Sequence, residues 1–330
     1  MTSHIARSIF IDSHGGPDVM KIRQGELPPP PPGNVTVQHA AVGINLADTY
    51  FRSGLYPGRP PHGLGVEGAG TIVELGPGVS GYAVGDRVTY TGSPLGAYCD
   101  VRNMPVDSLI PLPDTIAFDV AAASTMRGLT ATYLLNSVWD LSPGDTVLIQ
   151  AAAGGVGLIF CQMAKNMGLH VIGTVGSDNK RVLAKDAGCD HVLNSKTDDI
   201  PAQVRELTSG LGARMVVDGV GGETFDASLS SVARRGLLVC LGTASGPVVP
   251  FDPPRLMRQG SVYVTRPAMA DYIAQPDEKM HLVSILFSHL NKGSVKVSIN
   301  QRWTLDDAVA AHVALEAGTT TGSSIFEFTQ

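Results

Sequence analysis

The chain has 330 residues, 43% hydrophobic and 16% charged, enough for two domains with well-buried cores. Its 24 basic and 30 acidic side chains give a net charge of −6 with no Lys/Arg tract, which disfavours a nucleic-acid face. Cys99, Cys161, Cys189 and Cys240 lie far apart with no C-x-x-C pair, which speaks against a disulfide framework or structural zinc site and for reduced thiols in the cytoplasm.

No apolar run reaches the ~20 residues of a membrane span, and the N-terminal stretch lacks a leader's apolar core. Residues 4–11 and 19–26 alternate like strands around His14-Gly15-Gly16-Pro17. The proline block 28–32 reads as a rigid connection to another strand over 35–42. Residues 47–52 suit a short helix ahead of a Gly/Pro loop, and 65–81, 84–90 and 96–101 continue an alternating, glycine-punctuated pattern. An all-β, barrel-like domain is therefore predicted up to about residue 113.

From Asp119 the period changes. Residues 121–139 read as helix, stopped at Ser142-Pro143-Gly144. Strands over 147–150, 170–175, 191–193, 215–218 and 237–241 then alternate with helices over 155–167, 179–187, 201–208 and 222–233. This alternation predicts βαβ units, a doubly wound parallel sheet with helices on both faces. Residues 261–264 read as its last strand, 280–292 and 305–317 as amphipathic helices, and 324–328 as a strand returning to the first domain.

The stretch from Asp145 to Lys165, DTVLIQAAAGGVGLIFCQMAK, joins a buried strand to a helix through the turn Ala151-x-x-Gly154-x-x-Gly157. A turn poor in side chains lets a pyrophosphate reach the open N–H groups and positive end of the helix, as in a Rossmann unit. The usual first glycine is Ala151 here.

Taken together, these features resemble the medium-chain dehydrogenase/reductase superfamily, and within it the zeta-crystallin-like branch of NADPH:quinone oxidoreductases. The resemblance rests on Gly144-Asp145-x-x-Leu148-x-x-x-Ala152-Ala153-Gly154-Gly155-x-Gly157 with Gln162 and Lys165, on GIN-ADTY-RSGLYP over 43–57, and on GVEGAGTI over 65–72. LGAY (95–98), AAAS (121–124), RGLTA (127–131), GTVGS (173–177) and GSVYVTRP (260–267) extend it along nearly the whole chain. It implies a Rossmann domain over 127–266 inserted in a GroES-like β-barrel domain formed by 1–126 plus 267–330. It also implies hydride transfer from NADPH to a quinone and a homodimer. The superfamily's zinc enzymes carry Cys at the position of Asn45 and His at that of Val66, so zinc-independent chemistry is expected.

For the cofactor, the resemblance points to Gly154, Gly155 and Val156 at the pyrophosphate and to Gly176, Ser177 and Lys180 at the ribose end. The uncharged strand end leaves room for a 2′-phosphate, with Lys180 as its cation and Asp178 read as a helix cap. Ser195 replaces a tyrosine common in the branch, and Gly318 a basic residue, leaving either a looser preference for NADPH or a part for Lys196. At the nicotinamide end the resemblance points to Asn45, Asp48, Thr130, Gly242 and the Val264-Thr265-Arg266 segment, with Tyr50 and Thr243 as further expected cofactor residues. Asn45, Asp48, Tyr50, Arg52 and Tyr56 are the expected acceptor-site residues, the tyrosines offering flat faces and hydroxyls to a quinone. Two rivals accompany this reading: a reductase of α,β-unsaturated ketones or aldehydes, and a crystallin-like or AU-rich-RNA-binding role of the kind relatives have acquired.

Overall fold

The computed structural model describes residues 4–328 and divides into two compact units, 1–126 with 297–330 and 127–296. The expected first domain therefore has its outermost residues, 1–3 and 329–330, outside the described part.

Chain order opens with an antiparallel hairpin of β1 (His4–Ile11) and β2 (Met20–Leu27). It continues through β3 (Asn34–Ile44), α1 (Leu46–Ser53), β4 (His62–Gly63), β5 (Glu67–Leu75), β6 (Arg87–Thr91), β7 (Val101–Pro105) and β8 (Leu109–Pro111). The expected strand over 96–101 is loop as far as Asp100, and the strand itself, β7, begins at Val101. Gly96 has φ 109°, and the N–H groups of Gly96 and Ala97 both turn to Gly65 O. The helix α2 (Phe118–Asn136) carries the boundary between the units.

The second unit is a parallel sheet with strand order β11-β10-β9-β12-β13-β14. Its strands are β9 (Thr146–Ile149), β10 (His170–Val175), β11 (His191–Asn194), β12 (Ala213–Asp218), β13 (Val232–Cys240) and β14 (Tyr263–Thr265). This is the doubly wound order, whose reversal lies between β9 and β12. The intervening helices are α3 (Gly155–Asn166), α4 (Arg181–Asp186), α5 (Ile200–Leu207), α6 (Phe225–Ser231) and α7 (Pro254–Arg258). The predicted helix over 222–233 is shorter because Gly221, at φ 93°, delays its start and β13 begins at Val232.

Beyond β14, α8 (Met269–Tyr272) and α9 (Pro276–Asn291) stay with this unit. Tyr272 stacks on Tyr133 of α2 at 4.5 Å, and a Cβ on Gly128 would run into Leu286 of α9. These contacts carry residues 267–296, assigned from sequence to the first domain, into the second unit.

The chain returns to unit 1 with β15 (Ile299–Trp303), α10 (Ala308–Glu316) and β16 (Ser323–Glu327), giving a sheet ordered β15-β16-β3-β5-β6-β8, with β7 on β3. β16 lies antiparallel to β3, pairing Ser324 with Ile44 and Glu327 with Ala41. Val35, Val37, Val42, Ile44, Ile72 and Phe326 are fully buried here. Each Val or Ile so enclosed stabilises the fold by roughly 1.5–3 kcal/mol. Leu148, Ile172, Val216 and Leu238 play that part in unit 2.

Candidate functional site

In unit 2 the fingerprint turn leaves β9 at its C-terminal end. Ala151 adopts φ 56°, a left-handed conformation that costs an L-residue about 1 kcal/mol. Gly154 caps α3 in extended backbone. Gly157 is needed for packing, since a Cβ there would lie 2.5 Å from Ala151 O and 2.6 Å from Ala152 O. The first turn of α3, with Gly155 and Val156 half-buried, keeps open N–H groups and a positive dipole end suited to a phosphate.

A buried chain of hydrogen bonds runs beneath this turn. Thr174 Oγ1 donates to Gln150 Oε1 (2.5 Å), Gln150 Nε2 to Ser228 Oγ (3.0 Å), and Ser228 to Asp218 Oδ2 (2.7 Å). Asp218 Oδ1 also accepts the N–H groups of Val220 (2.9 Å) and Gly221 (3.0 Å). The switch-point ends of β10, β9 and β12 are thus tied together by groups that the sequence reading did not single out. Polar side chains closing strands of otherwise apolar character were the available sign.

Where the ribose end was expected, β10 closes on the uncharged Thr174 and Val175, followed by Gly176 and Ser177. Asp178 is not the helix cap: Ser177 holds that place. The Asp178 carboxylate instead accepts from Arg181 Nε (2.7 Å) and Asn194 Nδ2 (3.1 Å), and these bonds hold its pKa below the usual value. Ser195 uses its N–H (2.9 Å) and hydroxyl (3.3 Å) on Val175 O. Lys196, whose N–H goes to Asn194 Oδ1 (3.0 Å), runs its stem past Gly176, with Cε 4.0 Å from where a Cβ would stand. Gly176, Ser177, Ser195 and Lys196 therefore share one rim, with Lys180 ending the 3-10 turn Asp178–Lys180.

The remaining expected cofactor residues of unit 2 lie on several elements. Thr130 is buried on α2. Gly242 and Thr243 follow β13, with Gly242 N–H reaching Asp218 O (3.2 Å). Val264 lies in β14, and Arg266 just beyond it donates to Cys240 O (3.4 Å). Burial pushes the Cys240 thiol up to about 11.

Unit 1 gathers Asn45, Asp48 and Arg52 around α1. Asn45 caps the helix, its own N–H bonded to Asp48 Oδ2 (2.7 Å), and its amide Nδ2 donates to Glu67 Oε1 (2.8 Å). Glu67, fully buried, also accepts the Met126 N–H (2.7 Å) on Oε2. Tyr50, in α1, and Tyr56, just beyond it, are half-buried and meet edge to face at 5.1 Å.

Arg52 is placed differently from expectation. At 2% exposure it donates to Gly15 O (3.1 Å), His312 Nδ1 (2.8 Å) and Glu316 Oε1 (2.6 Å), so its guanidinium belongs to the interior rather than to a roof over an acceptor. Tyr98 completes the cluster, giving its proton to Asp48 Oδ2 (2.7 Å) and lying 3.1 Å from His312 Nε2. Tyr98 and His312 escaped the sequence reading. The one was visible inside the LGAY motif, the other as the sole histidine of an apolar helix.

The donor set at Asn45 does not fit zinc. An amide committed to a carboxylate and the apolar chain of buried Val66 supply neither thiolate nor imidazole. Among the described residues, no three His, Cys, Asp or Glu side chains converge as a metal site.

Family models match both parts of the chain: "Alcohol dehydrogenase GroES-like domain" over residues 31–114 and "Zinc-binding dehydrogenase" over 155–299. A quinone oxidoreductase of Salmonella typhimurium is 45% identical over 324 residues, 97% of this chain and 99% of that protein. A 2-haloacrylate reductase of Burkholderia is 37% identical, covering 96% of this chain and 97% of its own length. The solved structure of Escherichia coli quinone oxidoreductase complexed with NADPH superposes with a TM-score of 0.95 at 42% identity, covering 98% of this chain and all of that one.

Proposed function

The chain belongs to the quinone oxidoreductase branch of the medium-chain dehydrogenase/reductase superfamily, and from that premise we propose that it reduces quinones with NADPH and without zinc. The observation that carries the cofactor choice is the rim of unit 2. Gly176 and Ser177 leave space, Asp178 is taken up by Arg181 and Asn194, and Lys180 and Lys196 bring positive charge for a 2′-phosphate. NADPH, when bound, supplies the hydride that, with one proton from solvent, turns a quinone into its hydroquinone. The turn at Ala151–Gly157 holds the pyrophosphate. Gly242, Thr243, Val264 and Arg266 orient the nicotinamide end, with Thr130. Asn45, held against Glu67, offers its amide oxygen and remaining N–H to a carboxamide or an acceptor carbonyl. Tyr50 and Tyr56 supply the flat apolar face for the ring. Because the hydroquinone gains aromaticity, positioning in a dry site provides most of the acceleration.

Rates of NADPH and NADH oxidation with 1,4-benzoquinone, a naphthoquinone, an enone and 2-chloroacrylate test this. Quinone turnover with NADPH is expected to lead. A second reading, reduction of other conjugated carbonyl compounds, is favoured by the 37% identical 2-haloacrylate reductase and takes over if only the enone or haloacrylate is reduced. Four unbridged, buried cysteines support a cytoplasmic setting. A homodimer is supported by the edge strand β14, where Tyr263 is 53% exposed, and by Val249 and Met257, each 68% exposed. Light scattering at micromolar protein should give twice the 34.5 kDa chain mass.

A further inference from the structure

A buried hydrogen-bond chain in unit 1 leads from the surface to the N-terminus of α1. Its direction follows from the donors. Arg52 can only donate, so His312 Nδ1 accepts and Nε2 carries the ring proton. That proton goes to the Tyr98 oxygen, which frees the Tyr98 O–H for Asp48 Oδ2. Asp48 Oδ2 in turn holds the Asn45 N–H. Glu316, partly exposed on α10, closes the outer end on Arg52. Tyr98 and His312 are each fully buried, and Tyr98 is wedged edge-on against Phe326 (4.8 Å) and His312 (5.7 Å).

We propose that Tyr98 and His312 are positioning residues for the reduction, acting through Asp48 to fix the turn that presents Asn45. The inference rests on the reading of Asn45 as the group that orients the reactants. Every link inward of Arg52 is buried, so removal of the Tyr98 hydroxyl takes one hydrogen-bond partner from an Asp48 oxygen and one from the His312 N–H. The turn then gains freedom at the residue whose amide must be held in place. Burial, with the Arg52 charge beside it, drives the His312 pKa down to about 3, so the ring stays a neutral one-way donor through the working range.

The test is a double-mutant cycle on quinone reduction, Asn45→Ala against Tyr98→Phe, with NADPH dissociation constants from nicotinamide fluorescence. Tyr98→Phe keeps the ring and its packing while deleting the hydroxyl. Alone it is expected to lower kcat about tenfold while leaving the NADPH dissociation constant within twofold. In the Asn45→Ala background the same change is expected to cost less than threefold. Additive losses, or an unchanged kcat in Tyr98→Phe, overturn the proposal. An unchanged kcat in Asn45→Ala instead removes the reading of Asn45 on which it rests. Should Tyr98→Phe fail to fold, His312→Gln takes its place in the cycle. Nitrogen-15 shifts of the native protein's histidines supply a readout that needs no variant: His312 is expected as the Nε2–H tautomer from pH 5 to 8, and an Nδ1–H tautomer refutes the chain.

Discussion

Replacing Asp218 by Ala removes the acceptor around which the turn at the C-terminal end of β12 is built. The carboxylate, 2% exposed, takes two backbone N–H groups, from Val220 and Gly221, and two hydroxyls, from Thr224 (2.8 Å) and Ser228 (2.7 Å). Thr224 can turn its hydroxyl to Gly221 O, 3.3 Å away, while Ser228 keeps the bond it accepts from Gln150 but loses the acceptor for its own proton. The two N–H groups lose their acceptor. A buried donor left unsatisfied costs about 1–3 kcal/mol, or about 2–6 for the pair. Removing a buried charge returns part of its desolvation cost, which places the expected loss near 3 kcal/mol. Asp218→Asn keeps an oxygen for the N–H groups and turns its amide nitrogen to the hydroxyls, for a loss of about 1 kcal/mol. In a unit of this size 1 kcal/mol shifts Tm by about 2–4 °C. Thermal unfolding followed by circular dichroism should therefore show a drop of about 6–12 °C for Ala and about a third of that for Asn. If Asn proves as damaging as Ala, charge rather than hydrogen-bond satisfaction holds the turn, and the reasoning fails.

Stability should also fall with acidity. Burial lowers the pKa of His39 to about 4 and that of His312 to about 3, so in the window from 6.5 down to about 4 these rings take up protons only in the unfolded chain. Their contribution is complete above pH 6.5 and lost as the pH drops through that window; at 1.36 kcal/mol per unit, His39 alone accounts for about 3 kcal/mol. The Tm of His39→Gln should depend less on pH between 7.5 and 4.5 than that of the wild type, and parallel curves contradict the assignment. At the fingerprint turn, Ala151→Gly relieves a left-handed residue and should raise Tm by about 1–2 °C, the gain trimmed by glycine's freedom in the unfolded chain. Gly157→Ala forces α3 off the carbonyls of Ala151 and Ala152 and should weaken NADPH binding at least tenfold by fluorescence titration; full affinity would mean the approach is not needed. Lys180→Ala and Lys196→Ala should each raise the Michaelis constant for NADPH about tenfold and that for NADH less than twofold, as loss of one phosphate contact requires. Equal effects on both cofactors dismiss the rim as a 2′-phosphate site.

The parallel sheet was legible because each of its buried strands is a short apolar run between turn residues; 170–175 coincides with β10. β15 was not, because INQRW alternates polar residues with only half-buried ones and forms a strand through pairing with β16. The assignment of 267–296 failed for a related reason. Nothing local in α9 says that Leu286 will meet Gly128, more than 150 positions earlier. In the site, Asn45 and the Ala151–Gly157 turn could be read locally, since cap and turn chemistry act over three or four residues. Arg52 could not. Its place in the chain between Tyr50 and Tyr56 suggested an acceptor role, whereas its partners His312 and Glu316 are 260 and 264 residues away.

The pairing of β16 with β3 has a consequence for the chain as it is made. Residues 41–44 are fully buried in the finished sheet, and their partner strand ends at residue 327. During translation the Ala41–Ile44 edge is thus left uncovered while nearly three hundred residues are added, long enough for every strand of the second unit, 146–265, to emerge and assemble. A nascent polypeptide in that state offers a bare apolar strand to its neighbours on a polysome. Nonsense variants that stop short of β16 should accordingly accumulate as aggregates rather than as a weakened enzyme.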